Sequence, residues 1–231
     1  MQKTLHVILP TKTVTPKNSN DFLCPHLVFP TTVECIEAEA FLRKSQLLSF
    51  ALPDTITTVG ARAFKDCIHL ESAVLPKELN SLGIEVFSGC RDLKEISFPK
   101  GLSHIPARAF YRCRSLEHVS LPEGITKIEK EAFYFCNLTS LNLPNSLKSI
   151  EERAFFRCNN LTEAVIPSQV RYLGPSAFHG CNRLKVIKIS HDPAFIGENL
   201  VNKPVIFRCR KGSVVDAYCQ QAGYTVEYFE E

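Results

Sequence analysis

The sequence predicts a solenoid, in which short coils stack on one another and each adds a strand to a shared sheet. One Phe position recurs at steps of 23 residues, with a single step of 22. A strand-like apolar pattern and a Cys recur in the same frame. A unit of this length cannot bury its apolar face alone, so it must stack on its neighbours. The recurring Phe residues are Phe41, Phe64, Phe87, Phe110, Phe133, Phe155 and Phe178.

Each unit begins at a proline and ends in a predicted strand. The strand pattern L-x-x-V-x-L is represented by Leu116, Val119 and Leu121, where apolar residues alternate with polar ones, as in a half-buried strand. The proline that follows ends the strand and turns the chain. The seven units start at Pro30, Pro53, Pro76, Pro99, Pro122, Pro144 and Pro167.

The middle of each unit reads Ala-Phe-x-x-Cys, as at Ala109–Cys113. This stretch is too short for a full helix, so we expect one turn of 3₁₀ or α type. The Phe side chain should fill the interior of the coil. The 22-residue unit reads Cys136-Asn137-Leu138 where the others have two residues between Cys and Leu. We expect this deletion to lie in a turn and to preserve the buried register.

Outside the regular units the pattern changes at both ends. Residues 1–29 are predicted to form a degenerate N-terminal coil or cap, residues 30–189 seven repeats of 22–23 residues, and residues 190–231 a C-terminal cap. Within the cap, Pro204–Cys209 predicts a strand and Gly212–Gly223 a helix with Ser213 as its N-cap. Residues 224–229 alternate as a final strand.

The composition indicates a folded protein and excludes several classes. Apolar residues make up 45% and charged residues 22% of the 231 positions, and the formal net charge is +3. This charge is too small to indicate nucleic acid or an anionic membrane as partner, and no apolar stretch is long enough to insert into a membrane. The short run Leu5–Leu9 lacks the length and cleavage pattern of a signal peptide. The chain is therefore expected to be cytoplasmic as given, or a fragment of something exported.

Ten Cys residues are present, and six of them share one repeat position. None forms the close pairs typical of zinc sites. We expect these six to be buried, reduced and unreactive thiols, because free Cys packs as a small hydrophobe. The six are Cys67, Cys90, Cys113, Cys136, Cys158 and Cys181.

The frame P-x-x-L-x-x-I-x-x-x-A-F-x-x-C-x-x-L-x-x-V-x-L resembles the BspA-like, Treponema-type leucine-rich repeat over residues 30–189. The resemblance implies a leucine-rich repeat solenoid with a parallel β-sheet on the concave side. Short strands and 3₁₀ turns would form the convex side, and a strand–helix–strand cap would follow. Members of this family are mostly bacterial or protozoan, are often exposed on the cell surface, and are associated with adhesion to protein partners. The resemblance carries over no catalytic residues.

Polar strand positions are predicted to project from the concave sheet, which is the usual binding surface of solenoids. They are either partner-binding residues or simply the solvated side of half-buried strands. The candidate residues are Ser72, Glu95, Ser97, His118, Ser120, Ser140, Asn142, Glu163 and Lys188.

A second column, one residue before the Ala of the motif, alternates in charge. We expect it to form a row of weak ion pairs along the stack. Further basic residues, Lys65, Arg112, Arg114 and Arg157, predict a weakly basic outer face without interleaved aromatic residues. The alternating column comprises Glu39, Arg62, Glu85, Arg108, Glu131, Arg153 and Ser176.

The sequence contains no phosphate-binding loop, dinucleotide fingerprint, metalloprotease motif or nucleophile elbow. We therefore expect no enzymatic activity, no cofactor and no bound metal. The favoured function is a module that binds a protein or peptide, or mediates adhesion, through its concave sheet. The alternative is a structural spacer within a longer cell-surface protein.

Overall fold

The computed structural model describes residues 12–22 and 24–229, which form a single stack of parallel-strand coils. The predicted solenoid is confirmed. The run Leu5–Leu9 lies outside the described residues. The chain from Ser19 to Phe22 forms a short 3₁₀ helix, and two rows of strands then follow the axis of the stack.

The short-strand row consists of two-residue strands whose second residue points inward. From Val14 to Leu173 this inward residue is buried in every coil. Equivalent residues in successive coils pair in parallel register, as Cys35 does with Thr58. The row comprises β1 (Thr13–Val14), β3 (Cys35–Ile36), β5 (Thr58–Val59), β7 (Ser81–Leu82), β9 (His104–Ile105), β10 (Lys127–Ile128), β11 (Ser149–Ile150), β13 (Tyr172–Leu173) and β15 (Phe195–Ile196).

The short-strand row divides into sheets of four and five strands between β7 and β9. At the equivalent position of other coils a backbone N–H donates to the preceding coil. Gly83 N donates to Val59 O at 2.8 Å, and Glu129 N donates to Ile105 O at 2.9 Å. Pro106 occupies this position in the coil between them and has no N–H to donate. The missing N–H of Pro106 therefore explains why the short-strand row is divided between β7 and β9.

The long-strand row lies on another side of the stack and contains the strand that ends each unit. Its middle coils, around Ser120 and Asn142, are joined by single bridges rather than by full strands. The remaining strands form two four-stranded parallel sheets. They are β2 (His26–Val28), β4 (Ser49–Ala51), β6 (Ser72–Val74), β8 (Glu95–Ser97), β12 (Glu163–Ile166), β14 (Val186–Ile189), β16 (Ile206–Cys209) and β17 (Thr225–Tyr228).

A turn segment joins the short strand of each coil to the ladder Cys. In the fourth unit, Ala109 N donates to Pro106 O and Tyr111 N to Arg108 O, both at 3.1 Å. These i→i+3 bonds close successive β-turns, which share their hydrogen-bond spacing with a 3₁₀ helix. Arg108 and Arg112 have φ angles of 55° and 61°. These left-handed residues prevent the turns from continuing as a helix.

The turn segments also bond to each other along the stack. Phe110 N donates to Ala132 O, and Arg112 N donates to Tyr134 O, each at 2.8 Å. The same pattern recurs in the neighbouring coils. The left-handed residues turn alternate N–H groups toward the next coil, so the turns make a third hydrogen-bonded ladder.

The interior is a column of phenylalanine rings at the predicted repeat position. Each of the seven rings is at most 1% exposed, and successive ring centroids lie 5.2–5.6 Å apart. Neighbouring rings are nearly parallel because stacking repeats one orientation from coil to coil. The column continues through the shortened unit, where Phe133 and Phe155 lie 5.4 Å apart. The prediction that the deletion preserves the buried register is confirmed.

The ladder cysteines are buried beside the rings, as predicted. Each thiol donates to the carbonyl of a phenylalanine in the preceding coil, with Sγ–O distances of 3.0–3.2 Å. In one such pair Cys113 Sγ donates to Phe87 O at 3.2 Å. Burial raises the pKa of Cys67 to about 12 and that of Cys113 well above its usual value. Their lack of reactivity stays a prediction, which thiol counting before and after denaturation tests.

The C-terminal part forms the predicted strand, helix and strand. Helix α1 (Val214–Ala222) begins after Ser213, whose side chain accepts from Asp216 N, and ends at Gly223 with φ 68°. The apolar face of the helix includes Val215 and Cys219, both buried. Strand β17 then pairs with β16 and ends the long-strand row.

Stacked strands also occur outside the range 30–189. β1 and β2 precede it, and β15 and β16 follow it in register with the repeat strands. We propose that residues 30–189 are the regular repeats, and that residues 12–29 and 190–209 are less regular coils of the same stack. Within the described residues, α1 is too short and too polar to cross a lipid bilayer.

Candidate functional site

The outward positions of the long-strand row form two parallel columns, which together we call the long-strand face. The first column holds the first residue of each strand, and register pairing places Ser72 beside Glu95. The second column holds the third residue, and bridges join Ser97 to Ser120 and Ser120 to Asn142. The structure therefore brings the predicted site residues onto one face.

The predicted residues on this face are exposed, with Lys188 half-buried. Glu163 Oε1 and Lys188 Nζ lie 2.7 Å apart and form a diagonal ion pair between two coils. This pair is a contact within the face, so the two side chains stabilise each other. Whether any of these residues binds a partner stays a prediction.

Two of the predicted residues share a shallow pocket at the edge of the face. Glu95 and His118 line it together with Arg114 and Lys94, and its volume is about 370 Å³. His118 Nδ1 lies 3.4 Å from Thr139 Oγ1 of the next coil. The pocket thus presents both signs of charge.

The candidate residues predicted from the sequence did not include the apolar residues of the long-strand face. Val28, Val74 and Val165 occupy the second column and are 37%, 54% and 51% exposed. Their strand position is the same as that of Ser97, so the repeat frame could have located them. Selecting only polar residues left them out, although exposed apolar side chains are common in binding surfaces.

The alternating column forms the predicted row of ion pairs on what we call the turn face, the outer surface of the turn segments. Arg62 contacts Glu39 at 3.0 Å and Glu85 at 3.2 Å, and Arg108 contacts Glu85 at 3.5 Å and Glu131 at 2.6 Å. A hydrogen bond from Lys65 is the main reason that the pKa of Glu85 is lowered. The row is therefore continuous along the middle of the stack.

Every member of this row has a left-handed backbone, which the sequence did not indicate. The φ angles from Glu39 to Ser176 lie between 53° and 61°. Such angles are costly for residues with a side chain. The inter-coil hydrogen bonds and the ion pairs offset this cost.

The expectation that no aromatic residues accompany the basic ones is wrong for the turn face. Tyr111, Tyr134, Phe156 and His179 stack in sequence, with centroids 4.7, 5.0 and 5.6 Å apart. Their spacing of 22 or 23 residues is visible in the sequence, one position after each anchor Phe. Arginines lie against two of these rings, with Arg112 Cζ 5.2 Å from the Tyr111 centroid.

A cleft of about 940 Å³ lies between the last coil and helix α1. Two phenols at its wall fasten the helix to the coil. Tyr218 donates to Gly197 O at 3.1 Å, and Tyr224 donates to Val201 O at 2.9 Å. Burial raises the pKa of Tyr218, in keeping with a structural role.

Among the described residues, no group of three or more His, Cys, Asp or Glu side chains is arranged to hold a metal ion. The six ladder thiols are spread along the stack, one in each coil. The chemistry offered by this surface is hydrogen bonding, charge and apolar contact.

These features define a leucine-rich repeat protein, a solenoid that presents an ordered sheet surface. The model of the BspA type leucine rich repeat region matches residues 19–123 and 103–203, with six copies. This chain belongs to that family. The resemblance noted in the sequence is thereby confirmed.

Solved structures agree with this assignment. A leucine-rich repeat protein of Treponema pallidum is 26% identical, with a TM-score of 0.67 over 89% of this chain and 86% of the other. A leucine-rich repeat protein of Bacteroides ovatus is 22% identical, with a TM-score of 0.55 over 88% and 69%. A leucine rich cell surface protein of Faecalibacterium prausnitzii is 19% identical, with a TM-score of 0.52 over 89% and 79%. The latter two likenesses concern the fold alone. A search of curated proteins found no match.

Proposed function

We propose that this protein is a non-enzymatic interaction module that binds a protein or peptide, or mediates adhesion, through its long-strand face. The observation that carries the proposal is the ordered pair of outward columns, in which neighbouring residues are held in register by parallel strands and, in the middle coils, by single bridges. A rigid surface of this kind contributes many weak contacts without a large loss of conformational entropy on binding.

The composition of the face supports a protein partner. Exposed valines such as Val74 supply apolar contact, and Ser97, Ser120 and Asn142 supply hydrogen-bonding groups. The mixed pocket at Glu95 and His118 adds charge. Protein interfaces combine these three kinds of group, with polar residues around apolar ones.

We do not propose nucleic acid as a partner. The net charge is only +3, and Arg62, Arg108 and Arg153 of the turn face are each paired with Glu85 or Glu131. The stacked aromatic rings cover each other's faces, which leaves little ring surface for bases. Binding of single-stranded oligonucleotides with a strong salt dependence would contradict this choice.

The test is affinity capture with a variant of the long-strand face. Glu95→Lys, Ser97→Arg and Ser120→Arg would place three new cations on exposed positions and leave the Glu163–Lys188 pair intact. Immobilised wild type and variant would be exposed to cell lysate and to extracellular-matrix proteins. We expect the wild type to retain a protein that the variant loses.

A matched control carries the same change of charge elsewhere. Glu78→Lys, Ser103→Arg and Ser168→Arg also alter exposed positions, and all lie outside the long-strand face. The control should retain the ligand. Equal loss in both variants would mean that added charge alone weakens binding. If wild type retains no protein, the spacer alternative is favoured.

A further inference from the structure

The short-strand row ends at strand β15, beside the cleft of about 940 Å³ next to helix α1. We call this place the end cleft. Phe195, Ile196 and Asn199 line it on the side of the last coil, and helix α1 lines it through Tyr218 and Ala222. None of the residues predicted for the long-strand face lines it. The end cleft is therefore a separate surface, at which the last coil has no further coil stacked on it.

The last two coils show how one coil bonds to the edge of the coil before it. Gly197 N donates to Leu173 O at 2.7 Å. In return, Glu198 O accepts from Ser176 N at 3.0 Å. Two adjacent residues of extended chain, 197 and 198, therefore satisfy one acceptor and one donor of the preceding coil. The same two bonds recur at earlier junctions of the stack.

The last coil presents the same two backbone groups at its own open edge. They are Ile196 O and Asn199 N, each 23 residues beyond its equivalent in the preceding coil. Within the described part of the chain, neither group has a hydrogen-bond partner. Asn199 has φ 52°, the left-handed angle that elsewhere accompanies an N–H donated to the next coil. Here the backbone has this costly angle without the bond that offsets it.

A stack of side chains ends at the same edge. Tyr172 and Phe195 occupy the outward positions of β13 and β15, and their ring centroids lie 4.9 Å apart with 10° between the planes. Phe195 is 45% exposed although its ring contacts Tyr172. A strand added in register would lie about 4.8 Å beyond β15. An aromatic residue in such a strand would therefore continue the stack on Phe195.

The repeat itself indicates which sequence suits this edge. The last two coils read Tyr172-Leu173-Gly174 and Phe195-Ile196-Gly197. The first residue points outward and stacks, and the second is apolar and points inward. A Cβ on Gly197 would lie 2.4 Å from Pro175 N, so the glycine allows the chain to approach the turn of the preceding coil. A segment that continues the row would read aromatic, aliphatic, glycine.

We propose that the end cleft binds an extended segment of a partner protein as an additional parallel strand beside β15. An aromatic side chain of the segment stacks on Phe195, one of its N–H groups donates to Ile196 O, and one of its carbonyls accepts from Asn199 N. In this kind of strand addition, backbone hydrogen bonds supply affinity and side-chain contacts supply specificity. The site is additional to the long-strand face and does not depend on the function proposed for it.

The test is isothermal titration calorimetry with the acetylated and amidated peptide Ala-Phe-Ile-Gly-Glu-Asn, which copies residues 194–199. We expect it to bind at sub-millimolar concentration. Replacing its glycine by N-methylglycine removes the N–H that donates to Ile196 O and should weaken binding about tenfold. Replacing its phenylalanine by alanine removes the ring that stacks on Phe195 and should weaken binding severalfold.

Variants of the protein locate the site. Phe195→Ala should weaken the peptide severalfold because the stacking partner is lost. Tyr111→Ala is the matched control, since Tyr111 is also part of a stack of rings at the surface but lies outside the end cleft. The variant with Glu95→Lys, Ser97→Arg and Ser120→Arg should bind the peptide like the wild type, which separates this site from the long-strand face. Thermal unfolding should show that each variant is folded.

Hydrogen exchange measured by NMR gives a second readout that follows the backbone. The amide of Asn199 should exchange more slowly once the peptide is bound, because its N–H gains an acceptor. The amide of Ser176 already donates to Glu198 O, so its exchange should change much less. This difference between two equivalent amides would assign the added strand to the open edge.

Several results would overturn the proposal. No heat from the peptide at millimolar concentration would mean that the edge does not accept a strand. Equal binding of the N-methylglycine peptide, or unchanged exchange at Asn199, would indicate an apolar contact without strand pairing. Equal weakening by Tyr111→Ala would place the peptide elsewhere. A dimer of the protein that the peptide dissociates, measured by sedimentation, would make the occupant of the edge a second copy of this chain.

Discussion

The phenylalanine column and the Glu–Arg row have the same period and run side by side, but different forces hold them. The column is dry, and its rings are at most 1% exposed. In the row, the Arg62, Arg108 and Arg153 side chains are 45–47% exposed, and the Glu85 and Glu131 side chains beneath them are 13% and 7% exposed. The column keeps one residue type because every coil must fill the same space. The row alternates in charge because only opposite neighbours attract. We infer that the phenylalanine column contributes most of the free energy of unfolding. The Glu–Arg row offsets the strain of the left-handed residues that carry it.

The largest effect is expected from Phe110→Ala. The change opens a cavity between the rings of Phe87 and Phe133, and we expect a loss of about 3–5 kcal/mol in the free energy of unfolding. Denaturant unfolding followed by circular dichroism measures it. The exposed Ser120→Ala serves as control and should lie within about 0.5 kcal/mol of wild type. A loss below about 1 kcal/mol for Phe110→Ala would contradict the importance of the column.

Cys113→Ala tests the interior beside the rings. The change removes the sulfur and its hydrogen bond to Phe87 O, and we expect a loss of about 1–2 kcal/mol. The half-buried Cys35, outside the ladder, provides a matched Cys→Ala control with a smaller loss. Similar losses for the two variants would show that the ladder thiol is no more important than a surface one.

Glu85→Gln tests the surface row through its pH dependence. The pKa of Glu85 is lowered in the folded protein, chiefly by its hydrogen bond from Lys65. The carboxylate therefore stabilises the fold above its unfolded pKa of about 4.3, and this contribution is lost as the pH falls through the lower folded value. At pH 7 the variant should be about 0.5–1 kcal/mol less stable than wild type.

The difference between Glu85→Gln and wild type should shrink on acidification to pH ~3 and on addition of ~1 M salt. Unfolding free energies at the two pH values measure it. An unchanged difference would mean that the variant loses packing rather than charge, and that the row does not act through electrostatics.

The smallest effect is expected from Ser176→Gly. This variant tests backbone strain without a change of charge, because Ser176 is the uncharged residue at the end of the row. Ser176 has φ 56°, and its backbone N donates to Glu198 O at 3.0 Å. Glycine relieves the left-handed strain and keeps this bond, so we expect a gain of up to about 1 kcal/mol. Exposed Ser168, whose φ is not positive, is the control, and glycine there should be destabilising by about 0.5 kcal/mol. The reverse order would remove the argument that the row carries backbone strain.

Much of the architecture could be predicted from the sequence because it follows from periodicity. A buried position recurs whenever identical coils stack, so the Phe and Cys columns, most of the strands before the prolines and the helix after Ser213 could be predicted. The segments around Ser120 and Asn142 form single bridges where the pattern predicted full strands. The alternating charges likewise indicated the ion-pair row. The outward residues of the long-strand face could be located for the same reason, although Val74 and Val165 were missed when only polar residues were selected.

Other features depend on contacts between coils that the period does not encode. The left-handed backbone of Arg108 is decided by where its N–H must point to reach the next coil. The break in the short-strand row at Pro106 depends on stacking, because the missing N–H matters only where the neighbouring coils form a hydrogen bond. The sequence by itself determined the repeating interior, because burial acts alike on every coil. The tertiary structure alone decided the left-handed turns and the break at Pro106, because the N–H groups and the carbonyls that accept from them lie in successive coils and meet only after stacking.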